Sequence, residues 1–332
     1  MISFLVGHEA HIDHYQNIWE NLSPQEFTIV LLKHPYNNFL NTKRVNNLMS
    51  KYNYIYLDSI GDSTFGTCIS MWPVPEVFKT DIYKKNFKQH ILYSIIGSED
   101  LITENNEHIH YNKVLVFGEY SYNFFLDFFK KEKIKVIGNP RFDKINLNKF
   151  NKKKYSILKN LYSILKKKKQ NILYCPSHGG YGSIETFVRN ISFSLRFFNF
   201  YVKPHLDIEF ESPQSLEILK NLGCKIVNED FFKSVEFENV DLVISDYGGS
   251  SLLPVFFSKA GLILRGNKVL NLQRFLIDKG VPSVSKKNFG IKDIIFSLTE
   301  KNVELHCSLS KIFYSNKKYS GIKIASYLKH EN

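Results

Sequence analysis

The segment Asp241–Pro254 reads DLVISDYGGSSLLP. An apolar run ends at Asp246, Gly248 and Gly249 follow Tyr247, and Ser250 and Ser251 lead into a second apolar run. The two glycines allow positive φ and let a ligand approach the backbone closely. Hydroxyls and unpaired amides at a helix start attract a phosphate or diphosphate. Pro254 chooses between the serines. With Ser251 as N-cap the proline falls at N3, where a missing N–H breaks no helical bond. Ser251 is therefore expected to cap the helix.

Three other segments carry related chemistry. ILYCPSHGGYGS (172–183) places Ser177 and His178 before glycines at 179, 180 and 182. It has neither the Gly-Lys-Ser/Thr of a Walker loop nor the spacing of a dinucleotide fingerprint. It still offers bare amides and a hydroxyl near a helix start, a general anion seat. In YVKPHLD (201–207), Pro204 stiffens a turn between the fixed cation Lys203 and the titratable His205. VIGNPRFD (136–143) turns at Gly138 and Pro140 and presents Arg141, a permanent cation. Together these residues describe a seat for a phosphorylated ligand. Its donor or phosphate-binding set is Arg141, Ser177, His178, Lys203, His205, Asp246, Gly248, Gly249, Ser250 and Ser251.

Each segment should follow a strand. Short apolar runs at 2–7, 27–32, 54–58, 88–97, 113–118 and 134–143 alternate with helical stretches at 14–22, 42–52 and 121–133. Residues 61–76, GDSTFGTCISMWPVPE, read as an insertion that could serve as an acceptor loop. From Lys144 to Gln170 lysine and asparagine dominate, and apolar residues at 157, 158, 161, 164 and 165 have a helical period. Its lysines suit a solvated face or an anionic lipid surface.

Alternation then resumes. Strands are expected at 171–176, 200–205, 224–228, 240–246 and 261–266, and helices at 183–198, 212–223, 251–260, 271–279, 291–298 and 308–330. Strands alternating with helices imply an α/β protein with parallel sheets. The expected architecture is two doubly wound, Rossmann-like domains facing a cleft. These are residues 1–146, a basic linker or helix at 147–170, and residues 171–310. A helix at 311–332 would pack back on the first domain. Ligands of such sheets sit beyond the carboxyl ends of the strands.

The 332 residues carry a net charge of +12. That balance favours anionic partners. No RNA-stacking signature, zinc finger or DNA-reading motif is present, so nucleic acid is set aside. Cys68, Cys175, Cys224 and Cys307 form no CxxC pair, as expected of reduced thiols in a cytoplasmic protein. The first residues, MISFLVGHEAHIDHY, have no basic leader, and no apolar run reaches the roughly 18–20 residues of a membrane span.

Over roughly residues 113–265 the chain resembles the CDP-glycerol or CDP-ribitol glycerophosphotransferase family, the teichoic acid and capsule polymerases and primases of GT-B fold. VIGNPRFD resembles the family's Gly-x-Pro-Arg-x-Asp, and NILYCPSH its strand ending Ala-Pro-Thr. YVKPH resembles its His-containing donor-site strand end, and DLVISDYGGSSLLPVFFSKAGLIL its Thr-Asp-Tyr-Ser-Ser stretch. The resemblance implies an acceptor side in residues 1–146 and a nucleotide-donor domain at 171–310 that binds a CDP-linked polyol, with His205, Ser250 and Ser251 on the diphosphate and Arg141 near the cleft. The family's Trp-His-Gly has no counterpart: in HILYSIIGSED, Ile96 precedes Gly97. The general base is then expected at His8 or His11, with His90, His108 and His178 next in line.

The expected reaction moves a polyol phosphate such as glycerol phosphate from a CDP-linked donor to an acceptor hydroxyl, in capsule or teichoic acid-like polymer synthesis. A neutral histidine suits removal of the hydroxyl proton. Lys203, His205, Arg141 and the amides at Ser250–Ser251 would neutralise the leaving nucleotide without a metal, so no cofactor is expected. Other expected partners are a polysaccharide or lipid-linked acceptor and the inner membrane surface. A GT-B glycosyltransferase using a nucleotide sugar is the alternative within the fold. A basic, non-catalytic module binding anionic polymer or membrane is the alternative outside it.

Overall fold

Runs that are apolar at every position become strands covered on both faces. In β1 (Ile2–Val6) and β2 (Phe27–Leu31) every residue is buried. The computed structural model describes residues 1–32, 42–71, 85–145, 169–191, 194–266, 268–315 and 318–331. The chain divides into two units, Met1–Lys144 with Lys311–Asn332, and Ile145–Ser310.

The first unit holds a seven-stranded sheet, ordered β3-β2-β1-β4-β5-β6-β7. The remaining strands are β3 (Tyr54–Tyr56), β4 (Phe65–Ser70), β5 (Phe87–Tyr93), β6 (Lys113–Val116) and β7 (Ile134–Val136). All neighbours run parallel. The chain winds outward from β1 to β3, returns to β4 and winds the other way, so the order reverses between β1 and β4. Phe4, Tyr15, Trp19, Phe27 and Tyr93 form a buried aromatic cluster on one face.

β4 corrects the expectation of an insertion at 61–76. Residues 65–70 are the middle strand, bonded to β1 and β5. Their polar members hid the pattern, because each is buried on a distant partner. Thr67 Oγ1 donates to Gln89 Oε1 at 3.3 Å, and Ser70 Oγ meets Tyr111 Oη at 3.0 Å. Residues 72–76 of that segment, and residues 146–168 of the basic stretch, lie outside the described residues.

Several helix bounds differ from expectation. The first helix runs Glu9–Trp19, and the third ends at Phe125. The stretch 183–198 is helical over Ile184–Ile191, and its last residue opens the strand Phe198–Val202. The tail is two helices, Glu300–Phe313 and Ser320–Glu331. The last packs on helix Glu9–Trp19, where Gly321 N donates to Asp143 Oδ2 at 2.7 Å. Ion pairs Lys113–Glu331 and Lys329–Glu26 fasten its far end.

The second unit holds a six-stranded parallel sheet, ordered β10-β9-β8-β11-β12-β13. Its strands are β8 (Gln170–Cys175), β9 (Phe198–Val202), β10 (Lys225–Ile226), β11 (Val240–Ser245), β12 (Ala260–Arg265) and β13 (Ser283–Ser285). β13, Ser-Val-Ser, is too short and polar to read from sequence. The order reverses between β8 and β11. Tyr174 stacks on Phe187 at 3.6 Å, and Phe187 on Phe289 at 5.6 Å, within the core. Among the described residues no helix is long and apolar enough to cross a membrane.

A Cβ on Gly321 would lie 2.3 Å from Asn17 O, a backbone atom that cannot step aside cheaply. Gly321→Ala is expected to destabilise the first unit by about 1–3 kcal/mol, read from its urea transition. An unchanged midpoint would mean that the two helices are not closely docked.

Candidate functional site in the second unit

The site is built where the second sheet reverses, the position at which open α/β sheets take ligands. Asp246 ends β11 and is buried. Its Oδ1 accepts Ser177 N at 2.7 Å and its Oδ2 accepts Ser183 Oγ at 2.7 Å. Gln273 Nε2 donates to its backbone carbonyl. Ser183 Oγ also meets Tyr174 Oη at 2.6 Å. One carboxyl group thus ties the loop after β8 to the end of β11. No cation is bonded to it among the described residues, and burial pushes it up to about 6.

Around this tie lie the glycine turns. Gly179, at φ +57°, opens a single 3₁₀ turn, Gly179–Tyr181. Lys286 Nζ holds the Gly182 carbonyl at 3.0 Å. Gly248, at φ +69°, begins a second 3₁₀ turn that runs to Leu252. Between the turns is a pocket of about 330 Å³ lined by Gly180, Tyr181, Asp246, Tyr247, Gly266 and Lys268. Tyr181 and Tyr247 stack with centroids 4.1 Å apart. A depression of about 440 Å³ at Tyr122, Lys131, Glu132, Ile134 and Lys135 lies by the start of β7 in the first unit, at the wrong end of the strands for such a ligand.

β9 delivers the basic residues. Lys203 N donates to Tyr174 O at 2.9 Å and His205 N to Pro176 O at 3.1 Å, so the strand ends are laced together. The rings of His178 and His205 stack at 4.4 Å. Lys203 Nζ pairs with Glu229 at 3.0 Å.

Of the expected phosphate-binding residues, Ser177, His178, Lys203, His205, Asp246, Gly248, Gly249, Ser250 and Ser251 fall in this unit, and Arg141 falls in the first. The roles of several change. Ser251 does not cap a helix. It is buried, and its Oγ accepts Ser245 Oγ at 3.1 Å. Ser250 Oγ donates to Tyr247 O at 3.1 Å. The 3₁₀ turn shifts the helix start to Leu253, with Leu252 as cap and Pro254 in its first turn. Ser177 N is spent on Asp246, whose carboxyl is a buried tie between the two loops. Tyr181, Ser183, Asp207, Glu211, Lys268 and Lys286 were missed. Tyr181 and Ser183 lie within the segment 172–183, and Asp207 within 201–207, both already singled out. The others depend on contacts distant in sequence.

In the first unit, His8 and His11 follow β1 at that sheet's reversal. His8 caps helix Glu9–Trp19, its Nδ1 accepting Ala10 N at 3.2 Å. His11 Nδ1 accepts Gly7 N at 3.3 Å. A neutral ring that accepts at Nδ1 holds its proton on Nε2. Each ring is thus set to donate from Nε2, and can take a proton only by releasing a backbone N–H. His90 is buried on His110 O, and burial lowers its pKa well below the usual range. Arg141 lies over the Phe142 ring at 5.1 Å. Glu99, not anticipated from sequence, is buried beside Ser121 Oγ at 2.6 Å, and burial pushes it up to about 7.

Residues 84–211 match a family model described as "CDP-Glycerol:Poly(glycerophosphate) glycerophosphotransferase". The match covers less than half of the chain and marks the likeness of that stretch to the family. The matched stretch includes Arg141, Ser177, His178, Lys203 and His205 and stops short of Asp246–Ser251. No curated protein matches the chain. Among solved structures, a wall teichoic acid polymerase TagF variant soaked with CDPG is 14% identical at a TM-score of 0.61, covering 100% of this chain and 88% of that one. The S. aureus MnaA–UDP co-structure is 12% identical at 0.60, covering 99% and 96%. A glycosyltransferase from Rickettsia africae is 13% identical at 0.54, covering 99% and 98%. At these identities the likeness is one of fold, and the fold is GT-B.

The Asp246 tie has a pH signature. Unfolded, the carboxyl titrates at its ordinary value of about 4. Folded, it keeps its proton up to about 6. Between these values the folded state binds more protons, so its contribution is full below about pH 4, falls by roughly 2–3 kcal/mol as pH rises to about 6, and is flat above. Asp246→Asn is expected to keep the fold and remove that slope from urea titrations of the second unit. An unaltered slope would exclude Asp246 as its source.

Proposed function

We propose that the chain transfers a polyol phosphate, such as glycerol phosphate, from a CDP-linked donor to an acceptor hydroxyl in the synthesis of a cell-surface polymer. The observation that carries this reading, beyond the family match, is the tyrosine-lined pocket at the reversal of the second sheet. Its volume is in the range of small-ligand sites. The Tyr181–Tyr247 pair offers an aromatic face to a nucleobase, and the glycine turns bring backbone amides close to the phosphates.

In this reading His205, His178 and Lys203, with the amides of Gly248, Gly249 and Ser250, hold the diphosphate and stabilise charge on the departing nucleotide. Arg141 assists. One of His8 and His11 takes the acceptor proton, exchanging its backbone hydrogen bond for that proton. The transfer needs no divalent ion. The acceptor is a polysaccharide or lipid-linked chain, reached from the cytoplasmic side with the protein peripheral on the anionic membrane. The net charge of +12 supports that placement.

Calorimetry with CDP, UDP, GDP and CMP tests the donor. CDP should bind most tightly, and a preference for UDP or GDP would refute the assignment. Tyr181→Ala and Tyr247→Ala should each weaken binding about tenfold. His205→Ala should lose donor affinity or turnover while staying folded, and wild-type kinetics would remove it from the site. Asparagine can replace a capping side chain, so His8→Asn separates the helix cap from the base: folding is kept and, if His8 is the base, turnover is lost. If neither His8→Asn nor His11→Ala lowers turnover, the base lies elsewhere. Activity should survive excess chelator; rescue only by Mg²⁺ or Mn²⁺ would contradict the metal-free mechanism.

A GT-B glycosyltransferase is the second reading, favoured by the lack of Trp-His-Gly at Ile95–Gly97. Product mass separates the two, since a sugar and a polyol phosphate add different masses to the acceptor.

A further inference from the structure

Two imidazoles and a carboxylate converge at the ends of β8 and β9. His178 Nε2 lies 3.6 Å from Asp207 Oδ2, and His205 Nδ1 lies 3.3 Å from the same oxygen. One ligand atom from each of the three lies within 4.8 Å of the others. Ligands held about 2.0–2.1 Å from a tetrahedral Zn²⁺ are about 3.3–3.4 Å apart, so small ring movements would close the set around an ion. Glu211 adds a second observation. Both its carboxylate oxygens lie 3.2 Å from His178 Nδ1. A metal-bound histidine commonly donates its other ring N–H to a carboxylate, which fixes tautomer and orientation. With Nδ1–H on Glu211, the lone pair of His178 Nε2 is directed to the side of Asp207. The bond from Asp207 N to His205 Nδ1 is long, at 3.3 Å, and ligation would replace it.

The donor set is two nitrogens and one oxygen, with no thiolate. It suits Zn²⁺ and its neighbours rather than Mg²⁺ or Ca²⁺, which prefer all-oxygen sets. The side chains of His178, His205 and Asp207 are 34%, 46% and 16% exposed, which leaves an entry path and room for a water.

We propose that His178, His205 and Asp207 form a binding site for a transition ion of the Zn²⁺ class, with Glu211 orienting His178. The site stands on these four residues alone. One consequence rests on the proposed function: the ion occupies the imidazoles assigned to the donor phosphates, so Zn²⁺ opposes donor binding.

The test titrates chelator-stripped, full-length protein with Co²⁺, followed by visible absorption, and then displaces it with Zn²⁺. Wild type should give a saturable tetrahedral cobalt spectrum that Zn²⁺ abolishes. His178→Ala, His205→Ala and Asp207→Asn should each lose it, with folding verified by circular dichroism. Glu211→Gln should keep the spectrum with affinity lowered about 10–100-fold. No saturable spectrum in wild type means that the cluster holds only its own ion pairs, and overturns the site. So does a spectrum unchanged in the His178→Ala/His205→Ala double variant. CDP calorimetry with and without Zn²⁺ tests the consequence separately. Binding of CDP unaffected by Zn²⁺, with the cobalt spectrum intact, would count against the donor-site reading and leave the metal site standing.

Discussion

A carboxyl group buried with no cation bonded to it among the described residues is a demanding thing to place, and the second unit is arranged around one. Asp246 is satisfied by neutral donors, a backbone N–H from Ser177 and the hydroxyl of Ser183. Desolvation disfavours its charge, so it keeps its proton up to about 6. The geometry it enforces matters more than its charge. It draws the loop after β8 onto the end of β11 and, through Gln273, fixes the start of the glycine turn. The walls of the tyrosine-lined pocket follow from that tie. Without it, Gly179–Gly182 would be held chiefly by Lys286 and by backbone bonds of its own turn.

The same economy recurs in the basic residues. Lys203 is paired with Glu229, and His178 and His205 face Asp207 and Glu211. An anion entering here must compete with carboxylates for these groups. That arrangement suits a ligand carrying more than one negative charge, or a cation drawn by the carboxylates themselves. It also explains why the excess positive charge of the chain is a poor guide to the site. Charge counted along the sequence takes no account of pairing.

In the first unit the histidines after β1 are structural before they are chemical. His8 caps a helix that carries Tyr15 and Trp19 into the aromatic core, and His11 holds Gly7 N. Their tautomers are set by those backbone bonds. Proton transfer at either ring is therefore coupled to the end of the helix, a constraint that a list of histidines does not contain.

Much of the fold was legible because parallel strands covered on both faces must be apolar at nearly every position. Ile2–Val6, Phe27–Leu31 and Val240–Ser245 announce themselves in this way. Phe65–Ser70 did not, because its threonine and serine are satisfied by Gln89 and Tyr111, residues that only the folded sheet brings near. The candidate site divided along the same line. Sequence alone determined that glycines, serines and histidines follow strands, since φ freedom and side-chain chemistry are local properties. Which amides and hydroxyls remain for a ligand was decided by tertiary structure. Asp246 takes Ser177 N from across the sheet, and Ser245 takes Ser251 Oγ beneath the turn. A 3₁₀ turn moves the helix start past both serines. Hydrogen bonds between residues far apart in the chain leave no periodicity in it, so only the fold could assign them.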